Sequence, residues 1–573
     1  MPGLSHSRCI KCSVTLCGVN CITMLPLLAH VVFITSCLIG FIGSVSFPDS
    51  ERLPKFWYDA ASSRIQRSLR YENSVNTARN IILLIGDGMG LSTILSTRIL
   101  KGQLQGQSGE EYSLAMDSFQ HTSLSKTYCT DSQVADSSCA ATAFLCGVKS
   151  NKFTVGLSAN ATYNLCNSTV GNEVQSLLSW AKDAGKSVGF VTTTRVQHAT
   201  PAPLYAHCPN RYWYSDASIP ADQRKPGCLD IAYQLVHNIR DIEVIMGGGR
   251  QHMSPQGTPD IEYPNENRYQ GQRLDGLNLI DKWREMKGTK NATYVWHRDQ
   301  LDKVDPERTD YLMGKVSSKG LFEPGDLAYE LERNSSTDPS IVEMVDKAVR
   351  ILRKNTRGFF LFVEGGKIDQ GHHSGRAKFA LYEAMLLDNA IERALELTDA
   401  SETLTVVSSD HSHTLSLGGY TDRGNPIFGF APQVSDVDGM PYTSLLYANG
   451  PGFRVVNGQR SNPQNHSISH KDYTQQAAVP LVEETHAGED VPVYAQGPWS
   501  HLFKGTNEDV FIAHAMAYAA CIGPYSSRCG QIPKVPTTAI KRTTVAYSLG
   551  FRLQSATFLK TSLFSVLIAL WSS

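Results

Sequence analysis

Phe359-Phe-Leu-Phe-Val363 runs straight into Glu364-Gly-Gly-Lys-Ile-Asp369-Gln370-Gly-His372-His373. Side chains of a strand alternate between its two faces, so five apolar residues in succession fit a strand buried on both sides, as in a parallel sheet. Residues 81–85, 188–192, 244–246 and 404–407 have the same character, and amphipathic helical stretches lie between the runs at 172–184, 341–353 and 377–397. This alternation predicts an α/β fold with helices on both faces of the sheet. Ligands of such sheets bind beyond the carboxyl ends of the strands. The residues that follow each run therefore matter most: Asp87, Thr194-Arg195, Glu364 and Asp410-His411.

The segment opening on Glu364 gathers two carboxylates and two imidazoles, and Asp410-His411-Ser-His413 repeats that mixture after another strand. Carboxylate and imidazole together are the ligand set of Zn²⁺. A third imidazole is available in Thr-His486-Ala-Gly-Glu-Asp. Gly86-Asp87-Gly88-Met89-Gly90 has neither the Lys-Ser/Thr of a P-loop nor dinucleotide-fingerprint spacing. Its carboxylate would repel a phosphate and favours a cation. Val134-Ala-Asp136-Ser137-Ser-Cys139 opens an Ala-rich helix that stops at Gly147. Ser137 there is either a cap or a nucleophile served by the helix N-terminus. Cys139, two positions on and about 200° around the helix, reads as a small packing residue.

The chain has 573 residues, 53 Lys+Arg and 54 Asp+Glu, so it has no electrostatic footprint for a polyanion, and no nucleic-acid partner is expected. Residues 24–46 are apolar and follow Arg8 and Lys11, and Ser44 and Ser46 precede a cut at Phe47. A secretory signal peptide over 1–46 is the better reading and an uncleaved anchor the alternative. Residues 558–573 are apolar and end the chain as a lipid-anchor signal does, with small residues near Ser548 and Gly550. Of 13 cysteines, Cys9, Cys12, Cys17, Cys21 and Cys37 lie in the leader. Sequons at Asn160, Asn167, Asn291, Asn334 and Asn465 accord with an oxidising secretory compartment, where Cys521 and Cys529 form a plausible short disulfide loop.

Taken together, GDGMG, VADSSCAATAFLCGVKSN, VTTTRVQHATPAPLYAH, NRYWYSD, FLFVEGGKIDQGHH, SSDHSHTLSLGGY and ETHAGED resemble the alkaline phosphatases in order and spacing, over about residues 50–524. The likeness is to the animal, membrane-anchored, tissue-type members. It implies a three-layer α/β sandwich with a large, mostly parallel central sheet and a small crown-like subdomain at 419–482. The catalytic domain would be 79–418 and 483–530, the N-terminal arm at the interface of a homodimer 47–78, and the stalk with its GPI signal 531–573. The implied reaction is hydrolysis of phosphate monoesters through a phosphoserine at Ser137, with broad leaving-group specificity, an alkaline optimum and the outer cell surface as location. A phosphodiesterase- or sulfatase-like relative and a receptor with a retired site are the alternatives; the third-metal set favours monoesters and no ligand is damaged.

The resemblance also assigns residues. Asp369, His373 and His486 would hold one Zn²⁺, and Asp87, Asp410 and His411 a second, completed by Ser137. Asp87, Thr200 and Glu364 would hold Mg²⁺, with His198 behind them and Asp136 beside the nucleophile. Arg211 would grip phosphate bidentately, which Lys does not reproduce. Glu262, Phe322, Glu323 and Asp338 match a calcium-like site for Ca²⁺. Cys166–Cys228 and Cys521–Cys529 match family disulfides, leaving Cys129, Cys139, Cys146 and Cys208 without partners. Gln370 stands where vertebrate members commonly carry His, facing the phosphate side of the site.

Overall fold

In a computed structural model, residues 49–239, 241–315 and 325–530 are described. The leader, the stalk with its anchor signal, Phe322 and Glu323 lie outside them. A ten-stranded sheet forms the centre. In chain order its first eight strands are β1 (Asn80–Gly86), β2 (His121–Lys126), β3 (Ser187–Arg195), β4 (Val244–Gly248), β5 (Ala292–Val295), β6 (Tyr311–Lys315), β7 (Phe359–Gly365) and β8 (Thr403–Ser409), followed by Val491–Gln496 and Thr506–Glu508. Across the sheet the order is Thr506–Glu508, β2, Val491–Gln496, β8, β1, β7, β3, β4, β6, β5. Neighbours from β8 to β5 pair in parallel, whereas Val491–Gln496 runs antiparallel to both β2 and β8.

The five apolar runs are the five adjacent strands β8, β1, β7, β3 and β4, and their alternate side chains feed two separate cores. Ile81, Leu83, Ile85, Phe360 and Phe362 meet the helices Ser137–Cys146 and Val510–Ala520 on one face. Ile82, Leu84, Phe359, Leu361 and Val363 meet Ile341–Leu352 and Ala377–Glu396 on the other. That division is the period-two geometry of a strand expressed as two layers of helix. A third cluster, with Ile99, Leu381, Leu415 and Tyr447, packs beneath a separate sheet of Leu415–Leu417, Leu445–Gly450 and Ala477–Pro480.

Two helix starts follow from side-chain caps. Ser340 and Glu343 form a reciprocal capping box, which fixes the N-terminus of Ile341–Leu352. The helix expected over 172–184 is confined to Leu177–Asp183, because Ser176 caps it. Residues ahead of that cap bond to another segment instead, Ser158 N–H donating to Asn172 O (2.8 Å) and Val174 N–H to Gly156 O (3.0 Å).

Candidate active site

The carboxyl ends of β8, β1, β7 and β3 stand side by side and deliver Asp410, Asp87, Glu364 and Thr194-Arg195 to one edge of the sheet. The turn after β1 needs glycine at 88, where φ is +70° and a Cβ would lie 2.5 Å from the His413 ring. Gly88 N–H donates to Asp410 Oδ1 at 2.9 Å, tying the two strand ends together. Thr200 Oγ1 donates to Asp87 Oδ2 at 3.2 Å. His198 Nδ1 stands 4.0 Å from that oxygen and 3.9 Å from Glu364 Oε1.

These carboxylates are crowded without enough donors. Asp410 Oδ2 and Glu364 Oε1 are buried and have no hydrogen-bond partner. Burial first, then the charges of Asp410, Asp369 and Glu364, push Asp87 well above the usual carboxylate range. Burial also lifts Asp410 to about 6. Such a cluster ionises comfortably only around a cation, and the orphaned oxygens are the atoms available to it.

The helix Lys367–His373 puts Asp369 and His373 four residues apart and so on one face. Asp369 Oδ1 lies 2.8 Å from His413 Nε2, 3.2 Å from His373 Nε2 and 3.4 Å from His486 Nε2. Burial works against its charge, yet His373, His413 and His486 hold Asp369 well below the usual range. His373 and His486 turn their Nδ1 atoms to backbone carbonyls, those of Glu484 (2.5 Å) and Ala135 (2.7 Å). In the neutral ring this leaves Nε2 free, the form that ligates metal, although burial is outweighed by Asp369 at His373, which is raised above its ordinary value. The two Nε2 atoms are 3.0 Å apart, so their lone pairs face each other unless a cation or a proton lies there.

His413 is different. It lies between carboxylates, with Nε2 on Asp369 and Nδ1 on Glu484 Oε2 (2.5 Å), so both nitrogens donate. Burial opposes this, but Glu484 and then Asp369 raise His413 to about 10. An imidazolium has no lone pair for a metal; His413 orients Asp369 instead. Its place in the DHSH motif was visible in sequence, whereas its protonation, and the part played by Glu484, depend on contacts across the fold. His372 faces away, bonded to Thr93 Oγ1 (3.0 Å) and Tyr447 OH (2.7 Å).

Ser137 is the first residue of the helix Ser137–Cys146 and is 1% exposed. Its Oγ is 3.3 Å from His411 Nε2 and 3.5 Å from Asp87 Oδ1. Burial and then His486 hold His411 well below its ordinary value, hence neutral. Asp136 caps the helix: one carboxylate oxygen accepts from Ser138 N (3.1 Å) and Ser138 Oγ (2.6 Å), the other from Cys139 N (3.4 Å) and Phe153 N (2.9 Å). Arg211 donates through Nη1 to Asp136 Oδ2 (3.0 Å), and its Nη2 lies 3.4 Å from His198 Nε2. Its backbone N–H is pinned to Phe153 O at 2.9 Å. Arg195 is committed elsewhere, to Asp326 (3.0 Å) and Tyr214 OH (2.7 Å).

The Gln370 amide accepts from Lys367 Nζ (2.6 Å) and donates to Asp326 Oδ2 (2.7 Å), forming a side chain-linked bridge toward Arg195. Cys139 departs from the sequence expectation: it is bonded to Cys129, alongside Cys166–Cys228 and Cys521–Cys529, while Cys146 and Cys208 are buried thiols. The packing-residue reading failed because the partner lies on a surface loop that local pattern does not connect to the helix. Away from this edge, Glu262 and Asp338 line one cavity of about 490 Å³ with Tyr263, His297 and Glu332. Burial, and Asp338 after the opposing Arg250, raise Glu262 to about 7. Asn160, Asn167, Asn291, Asn334 and Asn465 are all exposed.

A parallel α/β sheet whose strand ends gather cation-hungry carboxylates, a buried serine and a buried arginine defines a metal-dependent phosphoester hydrolase. Residues 78–522 match the alkaline phosphatase family model. The chain is 53% identical to the tissue-nonspecific alkaline phosphatase isozyme of Gallus gallus over 88% of its length and 97% of that protein. It is 54% identical to the Homo sapiens tissue-nonspecific isozyme (84% and 91% covered) and 55% identical to an alkaline phosphatase of Gadus morhua (83% and 99%). The fold is shared with the alkaline phosphatases of Thermus thermophilus (TM-score 0.55, 23% identity, 78% and 92% covered) and the Antarctic bacterium TAB5 (TM-score 0.53, 22% identity, 78% and 99%). The chain belongs to the alkaline phosphatase family. It is an enzyme that hydrolyses phosphate monoesters and depends on metal.

Proposed function

We propose that hydrolysis proceeds through a phosphoserine at Ser137, and the observation that carries this is the position of its Oγ, 3.3 Å from His411 and 3.5 Å from Asp87 at a helix N-terminus. Asp369, His373 and His486 would hold one Zn²⁺, Asp87, Asp410 and His411 a second, and Asp87, Thr200 and Glu364 Mg²⁺. Bound there, these ions supply positive charge to the entering and leaving oxygens and lower the pKa of the serine hydroxyl. Ser137 Oγ bonds to phosphorus in line as the ester oxygen departs. Water then bonds to phosphorus and the Oγ–P bond breaks. Arg211 grips two phosphoryl oxygens, held in place by Asp136, and the positive end of the helix dipole lies at Ser137. Contacts confined to the phosphoryl group give broad leaving-group specificity.

Further readings belong to the same proposal. The helix Pro54–Leu69 has no buried residue, with Trp57, Tyr58, Ile65 and Leu69 all more than half exposed. That supports an arm, within 47–78, lying on a second copy in a homodimer. The catalytic domain is taken as 79–418 and 483–530 and the crown as 419–482. The exposed sequons support glycosylation, and the cavity at Glu262 and Asp338 supports Ca²⁺ binding with Phe322 and Glu323. The sequence of 531–573 supports a lipid anchor at the outer cell surface. The test of the central claim is Ser137→Ala: acid-stable phosphoenzyme disappears while zinc and magnesium, measured on the same preparation, stay near two and one per chain. Phosphoenzyme persisting in that variant refutes it.

A further inference from the structure

Cys129 and Cys139 are both 2% exposed, with Cα atoms 5.8 Å apart across their disulfide. The ring that this bond closes contains Ala135, Asp136 and Ser137, and each meets a different part of the site. Ala135 O accepts from His486 Nδ1 at 2.7 Å. Asp136 caps the helix and receives Arg211 at 3.0 Å. Ser137 carries the nucleophilic hydroxyl.

The rest of the ring is held mostly by polar contacts: Asp131 Oδ1 accepts from Lys152 N–H (2.8 Å), Thr130 Oγ1 donates to Asn151 Oδ1 (2.5 Å) and Ser132 Oγ to Val134 O (2.8 Å). Thr130, Asp131, Gln133 and Val134 are exposed, and the apolar anchor of the lead-in is the small side chain of Ala135, 2% exposed. At its far end the bond reaches a segment that is firmly seated. Cys129 N–H donates to Ser132 O (3.0 Å), Thr130 N–H to Ser150 O (3.1 Å), and Lys149 Nζ to Tyr128 O (2.6 Å). The chain beyond Ser150 returns to the site, since Phe153 N–H donates to Asp136 (2.9 Å) and Phe153 O accepts from Arg211 N–H (2.9 Å). Cys139, the third residue of the nucleophile helix, is thereby joined covalently to the strip of chain that also positions Arg211.

We infer that the Cys129–Cys139 disulfide is a positioning device for phosphoryl transfer, fixing the start of the nucleophile helix against both Arg211 and His486. The inference rests on Ser137 as nucleophile. Small displacements of reacting groups cost large factors in rate, so its removal acts on turnover as well as on stability.

The test compares the metal-loaded full chain with Cys129→Ala/Cys139→Ala and, as control, Cys521→Ala/Cys529→Ala, at a temperature well below unfolding of all three. The first double variant is expected to lose at least about tenfold in kcat and to bind inorganic phosphate more weakly, with metal content unchanged. The control loses thermal stability alone. If the Cys129/Cys139 variant does not fold, the native enzyme is partly reduced with dithiothreitol and alkylated. Loss of burst amplitude must then track alkylation at Cys129 and Cys139. Turnover within twofold of the native enzyme, in the variant or after alkylation of both thiols, overturns the inference, as does finding both thiols free in fully active protein. Mapping the phosphoryl label separates the two readings: label on Ser137 at full rate defeats the tether alone, whereas label on another residue defeats the nucleophile assignment and the tether with it.

Discussion

Replacing Asp136 separates three tasks that one carboxylate performs. It caps the helix that begins at Ser137, receives Phe153 N–H, and neutralises Arg211, which is 8% exposed. Asp136→Ala removes all three. Losing a cap costs about 1 kcal/mol, an unsatisfied buried N–H about 1–3 kcal/mol, and a buried cation without its partner about 3–5 kcal/mol. Because these terms share one side chain they overlap, and about 4 kcal/mol is expected in total. Asp136→Asn keeps an acceptor for Cys139 N–H and Phe153 N–H but sets an NH₂ against Arg211. Asn should therefore recover about 1–2 kcal/mol of stability relative to Ala. Both variants should weaken competitive inhibition by phosphate equally, by about tenfold, equivalent to about 1.4 kcal/mol, since neither holds the guanidinium in place. The assay pairs thermal midpoints at one scan rate, as a large disulfide-bonded protein unfolds irreversibly, with phosphate inhibition constants. An Asn variant that binds phosphate as the native enzyme does refutes the orienting role; equal midpoints for Ala and Asn refute the cap.

Arg211→Lys should weaken phosphate inhibition and slow turnover, because a point-charge ammonium does not span two oxygens. Arg195→Lys, which disturbs the Asp326 and Tyr214 contacts, should leave phosphate inhibition unchanged. Chelation should make stability pH-dependent in acid. The folded-state pKa of Asp410 is about 6, above its ordinary value of 3.8, so its contribution is complete below about pH 4 and lost as pH rises through about 6. The thermal midpoint of the chelated protein should fall across that window, and a flat profile counts against metal-free repulsion. Gln370→His should shift the pH–rate profile with zinc content constant, because a titrating ring replaces the amide that links Lys367 to Asp326; an identical profile removes Gln370 from the site.

Legibility followed burial. The strands β8, β1, β7, β3 and β4 were readable because they are apolar on both faces. β2 (HTSLSK) is only alternately buried, and β5 has a single buried residue, so neither carries a continuous run; β2 pairs with strands distant in sequence, and β5 closes the sheet edge on β6, the next strand. Asp87, Glu364 and Asp410 were legible as strand-end residues before any family likeness. Arg211 sits in a turn with no local pattern, and only the likeness marked it. The Cys129–Cys139 bond escaped both routes, since connectivity among several cysteines does not follow from spacing.

The geometry also explains why the cap of the nucleophile helix is an aspartate. Ser or Asn would satisfy the first N–H groups about as well. The site, however, needs a cationic pole for phosphate within reach of four buried carboxylates, Asp87, Glu364, Asp369 and Asp410. An unrestrained guanidinium would collapse onto them and occupy the place of the metal ions. Asp136 opposes this by giving Arg211 a counter-charge of its own, at 3.0 Å through one nitrogen. Arg211 Nε, buried with no hydrogen-bond partner, remains uncommitted, so the guanidinium is neutralised yet keeps donor capacity for an incoming oxygen. The site thus sets a cluster built for cations beside a cation reserved for phosphate, the charge separation that transfer of a phosphoryl group requires.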